Sequence, residues 1–111
     1  MRIEISAPAS VAPGEEVVMR VTLINDSYEA VEIWRNRLLG PTADSGAGVP
    51  AATSVEATYG QPEEPLVLQP FTFYGRERRA GGFPAGSVAI HASYELGEGE
   101  ALSVSREVTV A

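Results

Sequence analysis

The dominant period along this chain is two rather than 3.6. Residues 2–6, "RIEIS", set Ile3 and Ile5 on one face and Arg2 and Glu4 on the other, which is the alternation of a half-buried strand. Residues 16–24, "EVVMRVTLI", group Val17, Met19, Val21 and Leu23 against Val18, Arg20, Thr22 and Ile24. Residues 30–36 alternate Val31 and Ile33 against Glu32, and Trp34 falls on the Glu32 side. Shorter runs follow at 54–59, 65–69 and 71–75, the last with Phe71 and Phe73 expected inward and Gly75 expected as a bulge or strand exit. The clearest alternation comes last. Val88, Ile90, Ala92 and Tyr94 oppose Ala89, His91, Ser93 and Glu95, and then Leu102, Val104, Val108 and Val110 oppose Ser103, Ser105, Glu107 and Thr109. Arg106 interrupts that last inward series, which predicts a bulge or a position at the sheet's rim.

Turn-forming clusters separate the runs: "APG" (12–14), "NDS" (25–27), "GPTADSGAG" (40–48), "GQPEEP" (60–65), "AGGFPAG" (80–86) and "GEGE" (97–100). Seven or eight short strands with such punctuation predict an all-β, antiparallel sandwich or barrel. The pattern supports no helix beyond a single turn in "RNRLLG", and the small-residue stretch 40–53 is the expected loop.

Composition narrows the picture. A chain of 111 residues has room for one domain, taken as 1–111. There is no cysteine, so disulfides and thiolate metal sites are excluded. Fifteen acids against eight bases give a net charge of −7, and every base is arginine. A phosphate backbone repels such a chain, so no nucleic-acid partner is expected. No stretch approaches the roughly 18 apolar residues of a membrane span. The N-terminal residues lack a basic and then apolar leader pattern. The expected location is cytoplasmic for a full-length chain, and secreted or cell-surface for a domain of a longer one.

The chemistry-bearing residues are sparse. His91 is the single histidine and alternates onto an outer face, where one imidazole is poor material for a zinc site. A serine–histidine–aspartate arrangement would have to recruit Asp26 or Asp44 from distant loops. The carboxylate pairs Glu15–Glu16, Glu63–Glu64 and Glu98–Glu100 are isolated, unlike a calcium loop. Neither a metal, nor a cofactor, nor a catalytic residue is expected. "NDS" fits a glycosylation acceptor, but Asn25 at a strand end better suits a corner whose amide binds local backbone. Trp34 either packs between sheets or lies outside beside Arg35 and Arg37; Tyr94, late in its strand, suits a buried ring with its hydroxyl on backbone.

Two segments resemble a known class of domain. "SAPASVAPGEEVVMRVTLINDSYEAVEI" is similar to the opening of bacterial immunoglobulin-like accessory domains, with an edge strand, a Pro-Gly turn, a valine-rich strand and an Asn corner. "FPAGSVAIHASYE" followed by "LSVSREVTV" resembles their closing hairpin. CARDB-like adhesion domains look like this, as do the non-catalytic N-terminal sandwich of deuterolysin-like metalloendopeptidases and small sandwich-type protease inhibitors. Residues 36–70 match none of these. The resemblance implies an antiparallel immunoglobulin-like β-sandwich of seven or eight strands. The His-Glu-x-x-His zinc motif is absent, so the metalloendopeptidase comparison carries over no catalytic residue.

The function expected is therefore non-catalytic: a recognition or spacer module binding a protein, or itself, through loops or an edge strand. The candidate contact residues are Arg35, Arg37, Leu38, Leu39, Arg76, Arg78 and Arg79. One alternative is a protease inhibitor presenting loops 36–50, 60–65 and 76–83. The other is a carbohydrate binder stacking sugars on Trp34, Tyr59, Phe73 and Tyr74.

Overall fold

Where the alternation is clean, it becomes two faces of a sheet. The computed structural model describes residues 1–44, 65–97 and 99–111. Within them the chain forms nine strands: β1 (Arg2–Ser6), β2 (Ser10–Val11), β3 (Val17–Ile24), β4 (Val31–Trp34), β5 (Leu38–Asp44), β6 (Pro65–Leu68), β7 (Phe73–Ala80), β8 (Gly86–Gly97) and β9 (Glu100–Val110). A 3₁₀ turn, Arg35–Arg37, links β4 to β5, and there is no α-helix among the described residues. The strands form a three-stranded sheet β1-β3-β7, a four-stranded sheet β2-β9-β8-β5 and a ribbon β4-β6. Every pairing is antiparallel except β2 with β9.

The core is sandwich-like. The three-stranded sheet contributes Ile5, Val17, Met19, Val21 and Leu23. Facing them, the four-stranded sheet contributes Val88, Ile90, Ala92, Tyr94, Val108 and Val110, while Ile33 and Leu68 come from the ribbon. Each large aliphatic side chain buried here stabilises the fold by about 1.5–3 kcal/mol. Phe83 anchors the β7–β8 connection in the core. The buried Tyr94 ring directs its hydroxyl to the backbone N–H of Trp34, from which it accepts at 3.0 Å.

Several expectations need correction. Phe71 and Phe73 point outward, because the segment before β7 is a turn and the strand begins only at Phe73. Register with β3 then sets Tyr74, Arg76, Arg78 and Ala80 opposite Leu23, Val21, Met19 and Val17, on the inner side. Gly75 is neither bulge nor exit; it pairs regularly with Thr22. Arg106 is at a rim and not a bulge, since the β8–β9 register runs unbroken through it and shifts only between Glu95 and Gly97. The strand count is nine among the described residues, not seven or eight: β2 is too short to leave a pattern, and β5 occupies part of an expected loop. In β5 the pairing with β8 skips between Leu39 and Thr42. Gly40 allows this bulge with φ +95°, and a Cβ there would lie 2.6 Å from the His91 carbonyl oxygen. The expected strand at 54–59 lies outside the described residues.

Candidate functional site

At the end of β3 the chain turns a corner around one buried side chain. Asn25 is 0% exposed, and its amide nitrogen donates to the carbonyls of Glu29 (2.8 Å), Leu68 (3.0 Å) and Gln69 (3.2 Å). Its side-chain oxygen accepts from the Ser27 N–H (3.1 Å) and hydroxyl (2.7 Å), and its own backbone N–H donates to Thr72 (2.9 Å). A buried amide this fully satisfied fixes geometry, because any alternative placement leaves the amide's own buried donors and acceptor unpaired. The loop 26–30 is thereby tied to the turn 69–72. The same bonds leave no free amide at Asn25, so "NDS" is a structural corner and no glycosylation acceptor in the folded chain.

The turn that Asn25 holds carries an unusual residue. Thr72 closes it by donating its N–H (3.2 Å) and hydroxyl (2.7 Å) to the Gln69 carbonyl. Pro70 takes the second position and Phe71 the third, at φ 59°, the only positive φ of a non-glycine residue among those described. Turns needing a positive φ there ordinarily use Gly or Asn, and an L side chain in this region costs about 1–2 kcal/mol. That strain does not serve burial, because the Phe71 ring is 59% exposed. It meets Tyr28, 88% exposed, edge to face with centroids 5.0 Å apart and planes at 85°. Phe73, 66% exposed, lies over Gly75, one ring carbon 4.0 Å from where a Cβ would be. Two exposed aromatics, Tyr28 and Phe71, thus lie in the segments that Asn25 ties together, and a third, Phe73, opens β7 opposite Ile24.

The corner is acidic. Asp26, Glu29 and Glu32 are the charged residues of segments 25–32 and 65–73, which contain no base. The Met1 ammonium lies 2.9 Å from an Asp26 carboxylate oxygen and, by hydrogen bonding to it, holds that carboxyl below the usual carboxylate range.

The residues singled out from sequence do not form one surface. Leu38 is 2% exposed and belongs to the core, whereas Leu39, 52% exposed, faces outward. Arg76 is committed to backbone: its guanidinium donates to the carbonyls of Leu38 (2.6 Å), Gly40 (3.1 Å) and Arg35 (3.0 Å), bridging β7 to β5. Arg79 lies 3.8 Å from Glu16, and Arg78 is half-buried on the inner side of β7. Arg37 covers the half-buried Trp34, its guanidinium carbon 5.7 Å from the ring centroid, and Arg35 is exposed beside it. The proposed sugar platform is not assembled either: Phe73 and Tyr74 point to opposite sides of β7, and Tyr59 lies outside the described residues. Of the inhibitor loops, residues 76–80 belong to β7, and 45–64 lie outside the described residues.

His91 is exposed on the outer face of the four-stranded sheet, opposite Ser105 and Thr42. It borders an open depression of ≈ 320 Å³ shared with Leu39, Ser93 and Ser103. No group of three or more His, Asp or Glu converges as a metal site among the described residues. Sequence reasoning found Asn25 as a corner but missed Tyr28 and Phe71, since a proline at turn position two is compatible with either hand of the residue that follows. No family model matches this chain, and no curated protein matches it in sequence.

Proposed function

We propose that this chain is a non-catalytic recognition module, an immunoglobulin-like sandwich that holds a protein partner through its aromatic corner. The observation that carries the reading is Phe71: a bulky ring kept in a strained backbone conformation and left in solvent. Burial gains nothing from that arrangement, since the ring's one aromatic neighbour is itself in solvent, and strain of this kind concentrates at functional sites. Exposed aromatics on a rigid support are also what protein interfaces use as anchors, since they bring area at little entropic cost. The perpendicular setting of Tyr28 and Phe71 favours a protein side chain over a sugar, which stacks best on a flat face.

The immunoglobulin-like part draws support from strand order. The sheet β1-β3-β7 opposite β5, β8 and β9 corresponds to an A-B-E sheet facing a C-F-G sheet.

Selection from a random peptide library displayed on phage tests the reading. Clones recovered on the parent chain are expected to bind the doubly substituted Tyr28→Ser, Phe71→Asn chain at least about tenfold more weakly. Clones that bind both chains equally would remove the corner from consideration and leave the spacer reading in its place.

A further inference from the structure

Resting on the recognition reading, we infer that the partner presents a cationic side chain, Lys or Arg, next to its apolar contact at the Tyr28–Phe71 pair. Charge at the corner is one-sided: Asp26, Glu29 and Glu32 are present, and no base occurs in segments 25–32 or 65–73. Across the outer face of the three-stranded sheet, the row Phe73–Ile24–Arg2 does reach a guanidinium. That group lies 3.6 Å from Glu4 in its own strand, and its charge acts on Asp26 and not on the Glu29–Glu32 side of the corner. Within the corner Asp26 is paired with the Met1 ammonium at 2.9 Å, so Glu29 and Glu32 are the acids that face a partner. Glu29 and Glu32 are exposed.

The rings add to this. An edge-to-face pair uses one ring face and leaves the others open, and an open aromatic face attracts a cation through its quadrupole. Val67, exposed and paired with Glu32 across the β4-β6 ribbon, supplies aliphatic contact for the stem of a long basic side chain. A partner carboxylate would meet the exposed Glu29 and Glu32, with no basic side chain from segments 25–32 or 65–73 to offset them. A neutral partner would desolvate the acids without compensating them.

The test uses the full chain labelled with ¹⁵N and three capped pentapeptide probes, Leu-X-Val-X-Leu, with X as Arg, Gln or Glu. With the Arg probe, saturable amide shifts are expected at Tyr28, Phe71 and Phe73. The Gln probe should bind about tenfold more weakly there and the Glu probe not at all. The Glu29→Gln, Glu32→Gln double variant should lose about that tenfold for the Arg probe while binding the Gln probe unchanged. Equal binding of the Arg and Gln probes at the corner would overturn the cation while leaving the recognition reading intact. Shifts confined to remote acids such as Glu15 and Glu16 would reduce the effect to bulk charge and overturn it too. Absence of corner shifts with every probe also overturns the inference, and the phage selection then decides the recognition reading separately.

Discussion

Phe71 and Asn25 lie at one corner and divide its labour: the first presents a ring to solvent, the second holds the backbone that presents it. The strain at Phe71 is separable from its ring. Phe71→Asn loses the Tyr28 contact but adopts the positive φ readily, so its stability should stay within about 1 kcal/mol of the parent. Phe71→Val loses the same contact and, being β-branched, resists that φ, and should fall below the Asn variant by roughly 1–2 kcal/mol. Urea unfolding of both variants measures the difference, and equal midpoints would mean that the turn relaxes and stores no strain. Asn25→Ala has no such freedom. It removes the amide's bonds to the carbonyls of Glu29, Leu68 and Gln69 and the acceptor of the Ser27 N–H and hydroxyl, at an expected cost of about 3 kcal/mol. Hydrogen exchange should quicken first at Ser27 and Thr72. Asn25 was legible from sequence because an Asn after an apolar strand has few other uses, whereas the outward Phe71 was not. Phe-Thr-Phe has the spacing of a strand; the turn is closed by Thr72 on the Gln69 carbonyl and held by Asn25 from forty-odd residues away, a contact no local pattern shows.

Strands were read correctly where their inward residues are uniformly apolar, as in β1, β3 and β8. They were misread where an edge strand points charge inward. β7 is the instructive case, since its inner side carries Tyr74, Arg76, Arg78 and Ala80. A pattern search takes such a strand for a polar loop, yet inward charge suits an edge, where a long side chain can leave the core and find carbonyls. β5 escaped for another reason: Gly40 and Pro41 mimic a turn, and only pairing with β8 on both sides of the bulge makes them strand. Of the arginines grouped by sequence, Arg76 is structural and Arg79 is not. Arg76→Lys replaces two terminal nitrogens, one on the Leu38 and Gly40 carbonyls and one on Arg35, by a single nitrogen that cannot hold both positions, and is expected to cost about 2 kcal/mol. Arg79→Ser removes an exposed pair at 3.8 Å and should cost under about 1 kcal/mol. Thermal or urea denaturation of the two variants side by side checks the ranking, and a reversed order would assign the bridging role wrongly.

For the molecule as a whole, the open question is which surface a partner meets, and the edges at β5, β7 and β1 are each guarded against that use. β5 carries a bulge and Pro41, which offers no N–H. Arg76 covers the gap between β7 and β5. On the opposite side β1 ends the three-stranded sheet next to β9, and there Arg106 donates to the Ile5 carbonyl at 3.3 Å. In an antiparallel ladder the N–H and C=O of one residue point the same way. The Ile5 carbonyl directed at Arg106 therefore marks the alternate positions Ile3 and Ile5 as the outward edge of β1. A further strand, including β1 of a second copy, would add at that edge if it were unguarded. Arg106 interrupts the inward series Val104–Val108, and its position explains why: a charge that must stay solvated keeps the opening unsuited to a dry interface. Arg106→Val completes the apolar series and frees the Ile5 carbonyl in one step. By sedimentation velocity the parent chain should keep the mass of one chain across concentration, while the Val variant gains mass as concentration rises, with its circular dichroism unchanged. A variant that stays a single chain, or a parent that already self-associates, would defeat the guard reading. The first result would mean that the β1 edge is blocked by something other than charge. The second would move recognition back from the aromatic corner to the sheet edge.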